Sequence, residues 1–401
     1  MAYEMGGAEA RAVARLIKTK FLFRYGWPGS GWSRQVEKFE EKFARFVGVK
    51  YAVATTSGTA SLMTALAALG VGKGDEVIVP GFTFMATPLA VLAVGAVPVV
   101  ADVDEGLGLD PEEVRKKISR RTRAIIPVHM TGLIANLGPI IKLASSRNIS
   151  VVEDCAQATG GSYRGRRVGS WGDAGAFSHN HYKTISAGEG GTVTLKDRRL
   201  FERAMLYQDA GAYFFDPRMR KLSIPYFAGM NFRMSEVLAA ILLEQMKRLP
   251  RMLGRMKALK RALMKKLDGH PVCPPAAVHD LNGDCGKCVI LRLRDSRLAI
   301  TLADRLNSRG VETGSWFRGL NTDRHIYQNW WPILAKKGNI DPRQNPYLTT
   351  PAGRAVRYSR DMCPRTLDLL GRSISVQVQP GWGRGKLGSV VKTIEREAAA
   401  L

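Results

Sequence analysis

Short apolar runs alternate with helical stretches between residues 50 and 195, and this rhythm is the strongest constraint on the fold. Runs rich in Val, Ile and Ala predict strands at 77–79, 97–100, 124–126, 151–152, 174–177 and 192–195. Helices are predicted between several of them, at 59–69, 87–94 and 139–146. Strands alternating with helices predict crossover connections and a mostly parallel sheet covered by helices on both faces. We therefore expect an α/β fold.

A further helix is predicted ahead of this region. Val36, Phe39, Phe43 and Phe46 recur at helical spacing. Ser33 precedes them and is a residue type that commonly caps helix N-termini. We expect Ser33 to be the cap of this helix.

The 401 residues are enough for a large domain and a smaller one, each with its own core. After Pro250 the pattern changes: a long basic helix leads to a strand at 288–293, another helix and a strand at 374–378. These elements predict a smaller C-terminal α/β unit. We place the large domain, with its N-terminal helical segment, at residues 1–248 and the small domain at 249–401.

The chain has a formal net charge of +25, and residues 247–266 contribute nine basic residues and no acidic one. Such a helix either binds nucleic acid or an anionic membrane surface, or forms a solvated face between two domains. No aromatic stacking platform or groove-reading motif accompanies it, so we expect the solvated face and no nucleic-acid partner.

No run of 18 or more apolar residues occurs, which predicts no membrane span. The N-terminus lacks the positive start and apolar core of a signal peptide, so we expect a cytoplasmic protein with reduced cysteines. Cys285 and Cys288 have the spacing of a redox or metal pair. A closed zinc site would need two more ligands at a matching spacing, and we expect plain thiols and no metal.

Lys183 and Asp154 are the candidate catalytic residues. Lys183 follows an apolar strand and precedes a glycine-rich turn, and Asp154 ends another apolar run. Ligands of parallel sheets lie outside the carboxyl ends of strands. A lysine amine and a carboxylate at neighbouring strand ends are what a pyridoxal phosphate enzyme requires. The amine holds the cofactor covalently and the carboxylate keeps its ring nitrogen protonated.

Four local features agree with this hypothesis. The segment 55–60 leads directly into a helix whose free amides suit a phosphate, and Ser178 offers a hydroxyl to the same group. Phe84 could stack on a pyridine ring and Gln157 could hydrogen-bond its hydroxyl. Each feature also has an ordinary explanation, since Ser and Thr cap many helices and phenylalanine commonly fills a core.

Together these positions resemble one family, the DegT/StrS sugar aminotransferases, which are fold-type I pyridoxal phosphate enzymes. The matching segments are 53–60, 79–87, 124–129, 153–157, 177–178, 183–191 and 229–236. The resemblance is continuous from about residue 30 to residue 245 and looser thereafter. It implies a large domain with a mostly parallel sheet and a smaller C-terminal α/β domain.

The resemblance also implies a role for each matched position. Lys183 would hold the cofactor and shuttle the proton, and Asp154 would pair with the ring nitrogen. The other implied cofactor contacts are Phe84 on the ring face, Gln157 at the ring oxygen, the amides around Gly58, Thr59 and Ala60 with the Ser178 hydroxyl at the phosphate, and Asn231 at the phosphate of the neighbouring subunit. The last contact implies a homodimer with shared active sites.

The implied reaction moves an amino group from glutamate or glutamine to a keto sugar, nucleotide-linked or free, or to a keto-cyclitol. The second alternative is a pyridoxal phosphate-dependent dehydratase or eliminating enzyme of the same family. A related dehydratase group replaces the lysine with histidine, so Lys183 favours the aminotransferase. The third alternative is a basic nucleic-acid-binding or regulatory protein on an inactive enzyme fold. The sequence does not identify the acceptor.

Three histidines have open roles. His179 and His181 depart from the Phe-Ser-Phe pattern expected near Lys183. They either assist proton transfer or pack at a strand end or subunit interface, and we favour packing. His325 lies in an aromatic, polar stretch that either lines a sugar pocket or packs.

Overall fold

The computed structural model describes residues 5–27, 29–317 and 323–401. Its strands, numbered along the chain, are β1 (Tyr51–Thr55), β2 (Glu76–Pro80), β3 (Val97–Ala101), β4 (Thr122–Ile125), β5 (Ser150–Asp154), β6 (Ser162–Tyr163), β7 (Arg166–Arg167), β8 (Ala174–Ser178), β9 (Gly191–Leu195), β10 (Cys288–Arg292), β11 (Thr313–Ser315) and β12 (Ser373–Gln377).

The helices are α1 (Gly7–Lys18), α2 (Gln35–Val47), α3 (Gly58–Ala68), α4 (Ala86–Ala93), α5 (Pro111–Lys117), α6 (Leu137–Ser146), α7 (Arg198–Gln208), α8 (Ala212–Phe215), α9 (Glu236–Lys266), α10 (Ser296–Ser308), α11 (Trp331–Leu334), α12 (Pro346–Thr349), α13 (Pro351–Ala355), α14 (Pro364–Gly371) and α15 (Arg384–Ala399). Three short 3₁₀ segments lie at Met130–Gly132, Pro217–Met219 and Tyr327–Asn329.

Within the described residues, seven strands form the larger sheet in the order β1-β9-β8-β5-β4-β2-β3. The pairs from β3 through β2, β4 and β5 to β8 are parallel, whereas β9 runs antiparallel between β8 and β1. The predicted mostly parallel sheet is therefore confirmed.

Successive residues of β2 face two different cores, which explains its continuous apolar run. Val77 and Val79 pack in a cluster with Leu62 of α3. Ile78, between them, packs in a second cluster with Ile140 of α6. A strand covered by helices on both faces must be apolar on both faces, because its side chains alternate.

The N-terminal cap of α2 differs from the prediction. The capping position is Arg34, in a left-handed conformation, and Ser33 donates its hydroxyl to Glu236 at 3.2 Å. The two carboxylate oxygens of Glu236 accept the amides of Gln35 and Val36 at 2.8 and 2.9 Å. A carboxylate from the start of α9 therefore does what we expected of the serine.

Helix α9 is continuous through Pro250, so position 248, the predicted domain boundary, lies inside a helix. Five of its nine basic residues after position 246 bond to other groups of the chain. These pairs are Lys247 with Glu244, Arg248 with Glu9, Arg255 with the Trp382 carbonyl, Lys257 with the Asn282 and Gly283 carbonyls, and Lys260 with Asp284. The basic face of this helix is thus partly used within the fold.

The C-terminal residues form a second sheet in the order β10-β12-β11, with antiparallel pairs. Leu302 of α10, Ile374 of β12 and Ile394 of α15 share its apolar core with Leu263 of α9. The predicted smaller α/β unit is present. No helix in the described part of the chain is both long and apolar enough to cross a bilayer.

Candidate active site

Two neighbouring strands of the larger sheet and one helix that packs on it each have one end at a single cavity. Asp154 ends β5, Ser178 ends β8 and Gly58 begins α3. These three residues line a cavity of about 600 Å³, counting the space open to solvent, together with Lys183 and Gln157 from the following loops. Because β5 and β8 are parallel neighbours, their carboxyl ends deliver these groups to the same edge of the sheet.

Asp154 is 4% exposed and is held by two donors. Thr87 Oγ1 lies 2.7 Å from its Oδ2, and the amide of Ala156 lies 3.1 Å from its Oδ1. Burial raises the pKa of Asp154, although both hydrogen bonds oppose the rise. A buried carboxylate of this kind is stabilised as an anion when a cationic group binds beside it.

Lys183 is half-buried in the turn after β8, where its amide donates to the Asn180 carbonyl at 3.0 Å. Burial, reinforced by the charge of Lys287, lowers the pKa of Lys183 to about 8, and Asp154 opposes the shift. A lysine with this pKa has an appreciable neutral fraction near neutral pH. The neutral amine is the form that attacks a carbonyl carbon.

The start of α3 presents free amides at the cavity wall. Ser57 caps the helix by accepting the amide of Ala60 at 3.0 Å, so this amide is already used within the protein. The amides of Gly58 and Thr59 occupy the first turn, where a helix has no earlier carbonyl to bond. Gly58 also packs tightly on Ser178: a Cβ there would lie 2.7 Å from Ser178 Cβ. Of the three predicted amides, two are available to an anion.

The side-chain amide of Gln157 has a defined orientation. Its Oε1 accepts the backbone amide of Thr131 at 2.9 Å. Thr131 has φ 53°, an uncommon left-handed conformation for a β-branched residue. Because Oε1 is used there, the NH₂ group of Gln157 is the part that can donate to a ligand in the cavity.

Phe84 lies at the mouth of the cavity and is 43% exposed. The ring of His325 lies against it, with 5.2 Å between the ring centroids. Asp323 Oδ1 lies 2.6 Å from His325 Nδ1, and the Thr83 amide donates to the His325 carbonyl at 2.9 Å. His325 therefore contacts a residue of the cavity lining, Phe84, without lining the cavity itself.

Comparison with known proteins identifies the family. A model of the DegT/DnrJ/EryC1/StrS aminotransferase family matches residues 15–332. The chain belongs to this family.

Curated members of the DegT/DnrJ/EryC1/StrS family include two similar enzymes. The L-glutamine:2-deoxy-scyllo-inosose aminotransferase of Streptomyces fradiae is 41% identical over 253 residues, covering 61% of this chain and 59% of that protein. The GDP-perosamine synthase of Caulobacter vibrioides is 41% identical over 245 residues, covering 61% and 63%. The matched part of this chain thus spans about three fifths of these relatives.

Solved structures of aminotransferase-like proteins match almost the whole chain. 3-Amino-5-hydroxybenzoic acid synthase superposes with a TM-score of 0.81 at 27% identity, covering 100% of this chain and 98% of that one. DesV of S. venezuelae gives a TM-score of 0.76 at 29% identity, covering 97% and 94%. These matches confirm the predicted fold class.

Within this DegT/StrS-type fold, neither histidine flanking the lysine lines the cavity. His179 is fully buried against the rings of Phe39 and Phe43, and its Nε2 lies 2.8 Å from Thr192 Oγ1. Burial lowers the pKa of His179 to about 3, so this imidazole is neutral. His181 is exposed on the loop. The favoured packing role is confirmed for His179.

Asn231 is exposed and does not line the cavity of its own chain. It lies two residues before Arg233, whose guanidinium lies over the Phe23 ring at 5.5 Å. The exposed rings of Phe23 and Phe215 are what we call the aromatic face. Phe215 stacks on Tyr25 and meets Phe23 edge-on, so the face is continuous there. Large exposed apolar patches mark interaction surfaces.

Two contributors to the cavity were not predicted from the sequence. Thr87 donates to Asp154, and Asn180 supplies the carbonyl that holds the Lys183 turn. Thr87 lies in a matched segment, but a threonine near a helix start is more often a cap. The signal for its role is the distance to Asp154, which only the folded chain shows.

The cysteines are free and buried, with Cys288 at the start of β10. Burial raises the pKa of Cys285 to about 12 and also raises the pKa of Cys288. Both are therefore neutral thiols, as plain buried cysteines would be.

Proposed function

We propose that this protein is a pyridoxal phosphate-dependent aminotransferase. It would transfer the amino group of glutamine or glutamate to a keto sugar, nucleotide-linked or free, or to a keto-cyclitol. The observation that carries the proposal is the presence of Lys183 and Asp154 in one cavity, with opposite pKa shifts. An amine shifted toward its neutral form and a buried acid that needs a cation are complementary to this cofactor.

The residues present fit the cofactor group by group. The buried carboxylate of Asp154, already held by Thr87, suits a protonated ring nitrogen. The free amides of Gly58 and Thr59 with the Ser178 hydroxyl suit the phosphate. When bound, pyridoxal phosphate supplies an electron-accepting ring that stabilises the charge left after a proton is removed from the amino donor.

Lys183 is the residue that moves the proton. Its Nζ, once released from the cofactor, would take the proton from the α-carbon of the donor. It would then deliver this proton to the cofactor carbon that carries the transferred nitrogen. A pKa of about 8 suits both tasks near neutral pH. Asp154 would keep its negative charge throughout, because the ring proton beside it offsets the cost of its burial.

The substrate class rests on the relatives. Members 41% identical to this chain include an enzyme named for L-glutamine and a keto-cyclitol, and another named for the GDP-linked sugar perosamine. Phe84 in the cavity lining, with the His325 ring against it, suits a ring with hydroxyl groups. We infer an acceptor of this polyol ketone class.

The test separates the half-reactions. The cofactor-loaded protein is mixed with glutamine or glutamate alone, and conversion of the cofactor to its amine form is followed by absorbance. Keto sugars and keto-cyclitols are then added one at a time. Conversion by the donor, followed by return of the original spectrum with an acceptor, is expected. If the protein binds the cofactor but neither donor converts that cofactor to its amine form, the result would contradict the proposal and favour an eliminating enzyme.

The aromatic face supports a homodimer that shares its active sites. Asn231 lies beside this face and does not line the cavity of its own chain. If a second copy of the chain packs on this face, Asn231 could reach the cavity of that second copy. Mixing Lys183→Ala with Asn231→Ala subunits tests this arrangement. If the sites are shared, equal mixing makes half of the dimers mixed, and each mixed dimer has one intact site and one inactive site. A quarter of all sites are then intact, so about a quarter of wild-type activity should return. Sites contained in single chains would give no recovery.

A further inference from the structure

Lys287 reaches the neighbourhood of the active site from the C-terminal unit. It immediately precedes β10, and its methylene stem lies flat on Gly132. A Cβ on Gly132 would lie 3.1 Å from Lys287 Cδ and 3.3 Å from Cγ, and Gly132 has φ +85°. Glycine is needed at this position for both the backbone conformation and the close approach of the lysine.

This contact places Lys287 beside the turn that holds Gln157, which is a residue of the cavity lining. Gly132 directly follows Thr131, whose amide fixes the side chain of Gln157. Cys288, next to Lys287, also meets this turn, with its Sγ 3.9 Å from the Thr131 carbonyl. The charge of Lys287 is also close enough to contribute to the lowered pKa of Lys183. The cofactor phosphate is expected at another element, the start of α3.

Lys287 has no counter-ion in the described part of the chain. The nearest acid along the chain, Asp284, is bonded to Lys260 Nζ at 2.7 Å and to the Gly286 amide at 2.6 Å. Among residues 5–27, 29–317 and 323–401, no carboxylate lies within ion-pair distance of Lys287 Nζ and no acceptor bonds to it. Lys287 is half-buried, and an ammonium without an ion-pair partner is available to bind an incoming anion.

We propose that Lys287 binds the carboxylate of the amino donor. This inference rests on the proposed function. The donor must bring its nitrogen to the place that Lys183 vacates, and its carboxylate is attached to the same carbon as that nitrogen. A cation near Lys183, beside the turn that holds Gln157, suits this carboxylate, whereas the amides at the start of α3 suit the cofactor phosphate.

The experiment compares Lys287→Met with Lys287→Arg. The bound cofactor is converted by increasing glutamine or glutamate, without acceptor, which gives an apparent donor Kd and a maximal rate. Lys287→Met, which keeps the apolar stem, should raise the donor Kd about tenfold or more and change the maximal rate less than about threefold. Lys287→Arg should recover most of the affinity. Lys257→Met, at a lysine bonded only to the Asn282 and Gly283 carbonyls, is the matched control and should leave the donor Kd unchanged.

Two further measurements distinguish the possible outcomes. Glutarate, an unreactive dicarboxylate, should perturb the absorbance of the loaded wild type at concentrations that leave Lys287→Met unaffected. The Kd of the apo protein for pyridoxal phosphate should be the same in both. An unchanged donor Kd in folded Lys287→Met, or a loss of cofactor affinity instead, would overturn the inference. If wild type itself is not converted by any donor, the proposed function fails first.

Discussion

Thr87 Oγ1 lies 2.7 Å from Asp154 Oδ2, and Thr83 Oγ1 lies 2.7 Å from Thr87 Oγ1. An ionised carboxylate only accepts, so the Thr87 proton points to Asp154 and the Thr83 proton points to Thr87. Burial raises the pKa of Asp154, and the hydrogen bond from Thr87 opposes that rise. Two hydroxyls therefore help to keep the acid charged before any ligand arrives.

Replacing Thr87 by valine removes the donor and keeps the shape. Without it the pKa of Asp154 rises further, so the ionised form is lost at a higher pH as the solution is acidified. We expect the acidic limb of the kcat/KM profile to move up by about one pH unit. Thr64→Val is the control, because the buried Thr64 hydroxyl has no partner among the described residues. Superimposable profiles for Thr87→Val and wild type would exclude this role of Thr87.

The lowered pKa of Lys183 predicts how the apo protein takes up the cofactor. Only the neutral amine attacks the aldehyde, so the rate should rise with pH and level off above about 8, the pKa of Lys183. An ordinary exposed lysine would continue to gain rate to about pH 10. Stopped-flow absorbance measures this rate, and Lys183→Ala should show no covalent attachment and no transamination. Attachment at normal rate in Lys183→Ala would place the chemistry on another amine.

The tight approach of Gly58 to Ser178 predicts weak cofactor binding in Gly58→Ala. The new Cβ would lie 2.7 Å from Ser178 Cβ, which forces the start of α3 away from the end of β8. Overpacking of this kind costs about 1–3 kcal/mol, so the cofactor Kd should rise about fivefold or more. Gly385 lies in α15, and a Cβ added there would have no atom within 4 Å, so Gly385→Ala should bind the cofactor as tightly as wild type. Equal affinities for the two variants would remove Gly58 from the phosphate site.

The buried His179 predicts an acid-sensitive stability. Its pKa is about 3 when folded and about 6.5 when unfolded, so the unfolded chain alone takes up a proton as the pH falls below 6.5. The stability that the neutral side chain contributes is complete above pH 6.5 and is lost toward pH 3. In His179→Phe, the slope of the free energy of unfolding against pH should be smaller by up to about 1.4 kcal/mol per pH unit, measured by urea denaturation between pH 6.5 and 4.5. The same variant should keep kcat within about threefold, and a large loss would return His179 to the chemistry.

Much of the fold could be predicted because it is encoded locally. The strands at 77–79 and 174–177 lie within β2 and β8, since a strand covered on both faces is a continuous apolar run. Lys183 and Asp154 were placed together for a related reason: Asp154 ends one parallel strand and Lys183 follows its neighbour, and parallel strands end at the same edge. Their catalytic roles stay predictions.

The cap of α2 and the packing partners of His179 were not accessible in this way. Ser33 was a reasonable cap by residue type, yet Glu236, two hundred residues later in the chain, supplies the acceptor. His179 turns inward because side chains alternate along the extended chain, so it faces the core while its neighbour Ser178 faces the cavity.

The amino-acid sequence by itself determined the α/β class, the family and the pairing of one lysine with one aspartate. Only the tertiary structure decided that Thr87 holds Asp154, that the Ala60 amide is already used, and that Lys287 lies on Gly132 near the lysine. The physical reason is the separation along the chain between the residues that interact. Periodicity and strand ends are properties of neighbouring residues, whereas hydrogen bonds and charge proximity depend on distances that arise only when remote elements pack.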